Sequence, residues 1–291
     1  MNQPIPVMAH LVLGYPTLDG SFRTAETYLA AGCAILELQI PFSHPTADGP
    51  VITAACREAV AQGVTVADCL AAIRELREKY PDQEIMVMSY LNRIYVYGMD
   101  RFMRDLAEMR VRHIIVPDWP VETPAPPLEG ETPPPTPPLK GRREVEGAAS
   151  PLPFRGGVGG GVSPSRGGAG RGLSRRGISL VPVIAANISD QRLDQLIAAG
   201  YDFFYLMSDF KITGSSFSLH PRLREITARI KSADNTRRVG IGFGINTSEQ
   251  VRMVLEVADY AIIGSALIRA QQENYLENYL ENLALLTTAF T

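Results

Sequence analysis

The sequence is poor in the residues that build disulfide frameworks and metal centres. It has 3 cysteines, 4 histidines and 1 tryptophan among 291 residues. Cys33, Cys56 and Cys69 form no Cys-x-x-Cys pair, and so odd and sparse a set points to reduced thiols in a cytoplasmic protein. His10, His44, His113 and His220 lack metal-ligand spacing, so no metal site is expected. No apolar run reaches the roughly 18 residues of a membrane-crossing helix, so no membrane association is expected. The opening MNQPIPVMAHLVLGYP has no basic n-region, and no signal peptide is expected either.

Glycine and proline are unevenly spread. Pro124–Gly177 holds 13 of the 25 Gly and 11 of the 22 Pro, leaving an ordinary globular allotment to the other 237 residues. That remainder is close to the roughly 250 residues of one α/β barrel. The same stretch carries eight Lys and Arg against four Glu, so a chain of net charge −3 has an acidic body of −7. An acidic body argues against nucleic-acid binding. PAPPLEG, TPPPTPP, FRGGVGGGV and SRGGAGRG can hold neither a helix nor a central strand, and they bury little apolar surface. Residues 124–177 therefore read as a low-complexity, disordered surface insertion that displaces or splits a peripheral helix.

Elsewhere, short β-branched runs alternate with segments of helical period. The strand candidates are Val7–Leu13, Ile35–Ile40, Ile85–Ser89, His113–Val116, Ser179–Ile184, Phe203–Met207, Arg238–Gly242 and Tyr260–Ile263. Helices are expected at Ser21–Ala31, Asp68–Lys79, Met99–Glu108, Gln191–Ala199, Pro221–Lys231 and Ser248–Val257. In the second, Leu70, Ile73 and Leu76 share one stripe while Arg74, Glu75 and Arg77 turn to water. Gly32 and Gly200 stand where left-handed C-terminal caps are wanted, and Ser248, after Thr247, offers an N-cap hydroxyl. Strand–helix repeats with short connections demand parallel strands. Eight units favour closure into a single-domain (β/α)8 TIM barrel over an open doubly wound sheet. Residues 1–123 supply strands one to four, and residues 178–291 supply strands five to eight.

Active sites of such barrels lie at the C-terminal strand ends. Glu37 sits in the apolar run Ala-Ile-Leu-Glu-Leu-Gln-Ile, where a carboxylate is desolvated unless paired and is thereby suited to proton transfer near neutrality. Asp48 follows in Ala-Asp-Gly-Pro, where a turn can hold its side chain. Two carboxylates in unlike environments recur in acid–base sites, although a buried bonded Glu and a turn-capping Asp would leave the same trace. Phosphate is the second signal. Gly240-Ile-Gly-Phe-Gly-Ile-Asn-Thr-Ser248 and Ile263-Gly-Ser-Ala266 end strands seven and eight and open helices, and Thr213-Gly-Ser-Ser216 follows strand six. Bare backbone N–H groups at such loops suit phosphate oxygens.

Taken together, Leu13-Gly-Tyr-Pro16, Pro-Phe-Ser-His-Pro-Thr-Ala-Asp-Gly-Pro at 41–50, Asp118-Trp-Pro-Val-Glu122, Ile212-Thr-Gly214, Gly242-Phe-Gly-Ile245 and Ile263-Gly-Ser-Ala266 make the chain resemble the tryptophan synthase alpha subunit family. The resemblance implies an α/β barrel lyase of tryptophan biosynthesis. Such a lyase cleaves indole-3-glycerol phosphate to indole and glyceraldehyde 3-phosphate, without a cofactor of its own. It also implies a pyridoxal-phosphate beta subunit as partner in an alpha2-beta2 tetramer. By the same resemblance Glu37 is the acid–base on the ring carbon, and Asp48 accepts the indole N–H. Gly214, Gly244, Gly264 and Ser265 take phosphate positions, while Tyr205, Thr213 and Phe243 line or close over the substrate.

The chain departs from the family pattern at the pocket. Gln39 stands where glycine is usual, on the same strand face as Glu37. His10 replaces an aromatic Phe, His44 replaces an acid on the loop facing the beta subunit, and the mobile loop reads Ser-Asp-Phe-Lys-Ile-Thr-Gly at 208–214. These changes leave two further functions open. One is a weakened alpha-like partner that binds a phosphate ligand and regulates a beta subunit; the other is a barrel lyase with a different phosphorylated substrate.

Overall fold

A computed structural model describes residues 4–119, 177–208, 219–242 and 244–287. The chain runs β1 (Ile5–Val12), α1 (Leu18–Ala30), β2 (Cys33–Gln39), α2 (Pro50–Ala61), α3 (Val66–Lys79), β3 (Glu84–Met88), α4 (Leu91–Tyr97), α5 (Met99–Glu108) and β4 (His113–Ile115). It continues through β5 (Ser179–Val181), β6 (Val183–Ala185), α6 (Asp190–Ala198), β7 (Phe203–Met207), α7 (Pro221–Ala233), β8 (Arg238–Gly242), α8 (Ser248–Leu255), β9 (Tyr260–Ile263), α9 (Ser265–Gln272) and α10 (Leu276–Thr287).

All strand pairs are parallel, in the order β5-β4-β3-β2-β1-β9-β8-β7-β6. The two end strands are one chain run, Ser179–Ala185. The expected single strand at Ser179–Ile184 is split because Pro182 has no N–H to give the ladder. Its first half pairs with β4 and its second half with β7, so the run joins both ends of the sheet. The Pro182 carbonyl still accepts from Tyr205 N–H at 3.0 Å. Nine strands thus make an eight-unit barrel.

Strand alternation divides the core. Outward residues such as Val7, Ala9, Leu11, Leu36, Leu38, Val87, Leu206, Ile241 and Ile263 pack against the helices in one large cluster. Inward residues, among them Met8, Ile35, Met86, Met88, Ile115, Val181, Phe203, Tyr205 and Ile262, fill the barrel as a second cluster. Glu37 and Gln39 share the inward face of β2 and are both buried.

Local signals explain most element ends. Gly32 and Gly200 adopt positive φ after α1 and α6. Thr65 and Asp68 close a capping box on α3. Thr247, rather than Ser248, caps α8: its hydroxyl accepts from the Gln250 backbone, and Ser248 becomes the first helical residue. Leu70, Ile73 and Leu76 are buried as expected. Arg77 departs from its expected exposure, because it lies half-buried and donates to the Pro81 and Gln83 carbonyls at 3.1 and 2.6 Å. The helix expected to open after Ile263-Gly-Ser-Ala266 is α9, whereas α2, α4 and α10 were not among the expected helices. In α2, glycine and proline of the Asp-Gly-Pro motif read as a turn, whereas Pro50 occupies the first helical position, where its missing N–H costs nothing.

The N-terminal barrel mouth is closed by ions. His113 contacts Asp202 at 2.9 Å and Glu84 at 3.4 Å, while Arg238 bonds Glu84 at 2.6 Å and lies over the Phe203 ring. The insertion expected at 124–177 lies, apart from Gly177, outside the described residues.

Candidate active site

At the C-terminal strand ends, one open cavity collects most of the predicted site residues. Glu37, Asp48, Tyr205, Gly244, Gly264 and Ser265 all line it, together with His10, Met88, Ile115, Val183, Ile262 and Arg269. Thr213, Gly214 and Phe243 lie outside the described residues. Among the described residues, no group of three or more His, Cys, Asp or Glu side chains could hold a metal ion.

Strand register sets the centre. His10 on β1 lies opposite Glu37 on β2, both side chains turn into the barrel, and His10 Nδ1 stands 3.2 Å from Glu37 Oε1. Glu37 is therefore desolvated but paired. Burial alone would lower the His10 pKa; the Glu37 carboxylate overrides it and, with Asp48 and Gln39, raises it above the ordinary histidine value.

Asp48 is held differently from the turn-capped aspartate expected of Ala-Asp-Gly-Pro. Gln39 Nε2 donates to Asp48 Oδ2 at 2.7 Å, and Tyr90 Oη donates to the same oxygen at 2.9 Å. The Tyr90 hydroxyl in turn accepts the Ala47 N–H at 3.1 Å, which locks the loop onto β3's end. Burial pushes the Asp48 carboxyl up, against His10 and the Gln39 and Tyr90 hydrogen bonds, which hold it down. The two carboxylates thus occupy the unlike environments that acid–base work calls for.

Tyr205 roofs the opposite side. Its place between Val183 and Gly240 on β7 is possible because β8 reads Arg-Val-Gly-Ile-Gly. A Cβ on Gly242 would come within 2.7 Å of Tyr205 Oη. Burial, with Glu37 and Asp48 nearby, keeps the Tyr205 phenol well above its ordinary pKa and hence protonated.

The two phosphate-type loops differ. After β8, Gly244 takes φ +74, but Thr247 and Gln250 close a capping box over the first turn of α8. After β9, Gly264 is the N-cap of α9 and no side chain caps that turn. Gly264 and Ser265 line the cavity, so the N–H groups of the first turn of α9 face it without a side-chain cap. Arg269, four residues into α9, adds a cation to the lining and bonds Asn246 Oδ1. The sequence reading missed Arg269 and Tyr90. Arg269 had a usable signal, since it stands one helical turn past Ser265; Tyr90 had none, because its bond to Asp48 spans two loops.

The sequence model of the tryptophan synthase alpha chain family matches residues 5–129 and 169–289. The chain is 31% identical over 275 residues to the tryptophan synthase alpha chain of Carboxydothermus hydrogenoformans, covering 94% of this chain and 86% of that one. It is 28% identical over 272 residues to that of Syntrophotalea carbinolica, covering 94% and 90%. Among solved structures, tryptophan synthase from M. tuberculosis superposes with a TM-score of 0.71 at 23% identity, covering 98% of this chain and 94% of that one. The alpha chain from Legionella pneumophila superposes with a TM-score of 0.70 at 21% identity, covering 98% and 92%.

Proposed function

The chain belongs to the tryptophan synthase alpha chain family, and on that footing we propose that it is an active lyase, cleaving indole-3-glycerol phosphate to indole and glyceraldehyde 3-phosphate. One observation carries the reading: both carboxylates, Glu37 and Asp48, line a single cavity with the uncapped N-terminus of α9.

In this reading the phosphate ester rests on the Gly264 and Ser265 end, with Gly244 and Arg269 beside it. By the family resemblance Gly214 serves the phosphate and Thr213 and Phe243 serve the substrate, though all three lie outside the described residues. Glu37 gives a proton to the indole ring carbon that carries the side chain, then accepts the proton of the adjacent hydroxyl as the carbon–carbon bond breaks. The bond's electron pair stays on the ring and the hydroxyl oxygen becomes the aldehyde. Asp48 accepts the indole N–H through Oδ1, since its hydrogen bonds from Gln39 and Tyr90 both fall on Oδ2. It thereby stabilises the positive charge that develops on the ring. Tyr205, with Ile115, Val183 and Ile262, supplies the apolar wall against the ring. None of these steps asks a cofactor of this chain; pyridoxal phosphate belongs to a beta subunit, which consumes the indole. Partnership with that subunit as an alpha2-beta2 tetramer in the cytoplasm follows from the same reading. The test is indole release from indole-3-glycerol phosphate, with and without a beta subunit.

A second reading rests on Gln39. Its amide fills the space beside Glu37 and engages Asp48 at 2.7 Å, which favours a weakened alpha-like partner that holds a phosphate ligand and regulates a beta subunit. Phosphate-ester binding without indole release, with cleavage restored by Gln39→Gly, selects this reading over the first.

A further inference from the structure

His10 is buried inside the barrel at 4% exposure, beside the Glu37 carboxylate at 2%, and the cleavage scheme gives it no task. Strand register places it there. β1 runs between β2 and β9, and His10 lies opposite Glu37 on parallel strands, so both side chains leave from the same face. The ring is held from both sides. Toward β9 it packs against Gly264, where a Cβ would meet Cδ2 at 3.3 Å and Cγ at 3.4 Å. Toward β2, Nδ1 stands 3.2 Å from Glu37 Oε1. Cδ2 and Nδ1 leave Cγ on opposite sides, so the Gly264 seat and the Glu37 contact call for the same ring orientation.

The far atoms of the pair, His10 Nε2 and Glu37 Oε2, are buried with no hydrogen-bond partner among the described residues. With no described partner at Oε2, the plane of the Glu37 carboxylate is set by its contact at Oε1, because the terminal torsion of a glutamate is otherwise broad. With none at Nε2, the neutral ring keeps its proton on Nδ1, where a carboxylate accepts it. The charged ring donates from Nδ1 as well. Burial opposes that charge, while Glu37 and then Asp48 favour it. Tyr205 and Arg269 are the other titratable groups that line the cavity with these three.

We propose that His10 is a positioning residue for the acid–base: its Nδ1–H holds the Glu37 carboxylate in one orientation, in the neutral and the charged state of the ring alike. This role rests on the lyase reading above, in which Glu37 moves the protons. A general acid–base acts only from within hydrogen-bond reach of the atoms it serves, so a carboxylate fixed in place spends more of its time in reactive geometry. The effect falls on kcat, because the phosphate end that anchors the substrate does not use Glu37.

Steady-state indole release from indole-3-glycerol phosphate, with a beta subunit present, reads the role in the wild type, His10→Phe and His10→Asn. His10→Phe keeps a ring of similar size and removes the donor. Its kcat is expected to fall by about tenfold, the worth of one hydrogen bond to a charged group, with KM within about twofold. His10→Asn, whose amide nitrogen stands near the place of Nδ1, is expected to recover most of that kcat. A space-filling role predicts the opposite order, since Phe fills the seat better than Asn. Nitrogen-15 NMR of the His10 ring reads the contact without turnover. Above its titration midpoint the wild-type ring is expected to carry its proton on Nδ1, and Glu37→Leu to move that proton toward Nε2 and lower the midpoint. A His10→Phe variant with the wild-type kcat, or a His10→Asn variant no better than His10→Phe, overturns the proposal while indole release keeps the lyase reading. A neutral wild-type ring protonated on Nε2 overturns it too. No indole from a wild type that keeps its proton on Nδ1 removes the lyase reading and leaves the positioning of Glu37 by His10 standing.

Discussion

Gln39 Nε2 donates a 2.7 Å hydrogen bond to Asp48 Oδ2, tying the last residue of β2 to the loop that follows it. That bond helps hold the Asp48 carboxyl down against burial. Gln39→Leu removes it and leaves Tyr90 as the only donor on that oxygen among the described residues. The Asp48 pKa then rises further, so the acid limb of the kcat/KM profile for indole-3-glycerol phosphate moves to higher pH. A profile measured between pH 5 and 9 checks this shift; an unmoved acid limb would mean that Asp48 does not set it.

Tyr90→Phe strips a hydroxyl that serves two partners, Asp48 Oδ2 and the Ala47 N–H. Both are left short of a hydrogen bond in a largely buried place, which costs roughly 1–3 kcal/mol of stability. Urea denaturation at pH 7 reads that loss as a lower midpoint with an unchanged slope.

Gly242→Ala sets a methyl against Tyr205 Oη, which stands 2.7 Å from the ideal Cβ position, and against Ile262 Cβ at 3.0 Å. Both neighbours belong to packed barrel strands, so overpacking by about 1–3 kcal/mol is expected. The displaced Tyr205 also raises KM for the indole substrate more than it lowers kcat. Steady-state kinetics beside a thermal melt separate the two effects.

At the far mouth, Glu84 is held to about 2 by His113 and Arg238, whose hydrogen bonds outweigh the upward push of burial. A depressed carboxyl contributes stability that is full above its unfolded value of 4.5 and fades as pH falls toward 2. Glu84→Gln therefore destabilises the protein by roughly 1–3 kcal/mol at pH 7, and the gap to wild type narrows on acidification from pH 7 to pH 3. The cleavage rate at saturating substrate stays within about twofold, because this cluster closes the mouth opposite the cavity.

The barrel was legible because its evidence is periodic. β7, β8, β9 and α5 occupy the spans that alternation and helical period assign them. What escaped depended on partners remote in sequence. Pro182 looks like one more strand residue until both its neighbours in the sheet are known, and only then does it split β5 from β6. The site divides the same way. Glu37, Asp48 and the Gly264–Ser265 loop declare themselves by a carboxylate in an apolar run and by glycines at strand ends. The bond from Tyr90 to Asp48 joins residues 42 positions apart and leaves no local trace. His10 was visible as a departure from a family pattern, but its pairing with Glu37 depends on a cross-strand register that sequence does not print.

The central claim is that Glu37 transfers the protons of a carbon–carbon cleavage in this cavity. Its most direct measurement is the steady-state release of indole from indole-3-glycerol phosphate, with a beta subunit present, by the wild type and by Glu37→Gln. The account predicts turnover by the wild type and at least a 100-fold loss in the variant, the scale of a removed general acid–base. No indole from the wild type, or a variant that keeps the wild-type rate, would contradict it.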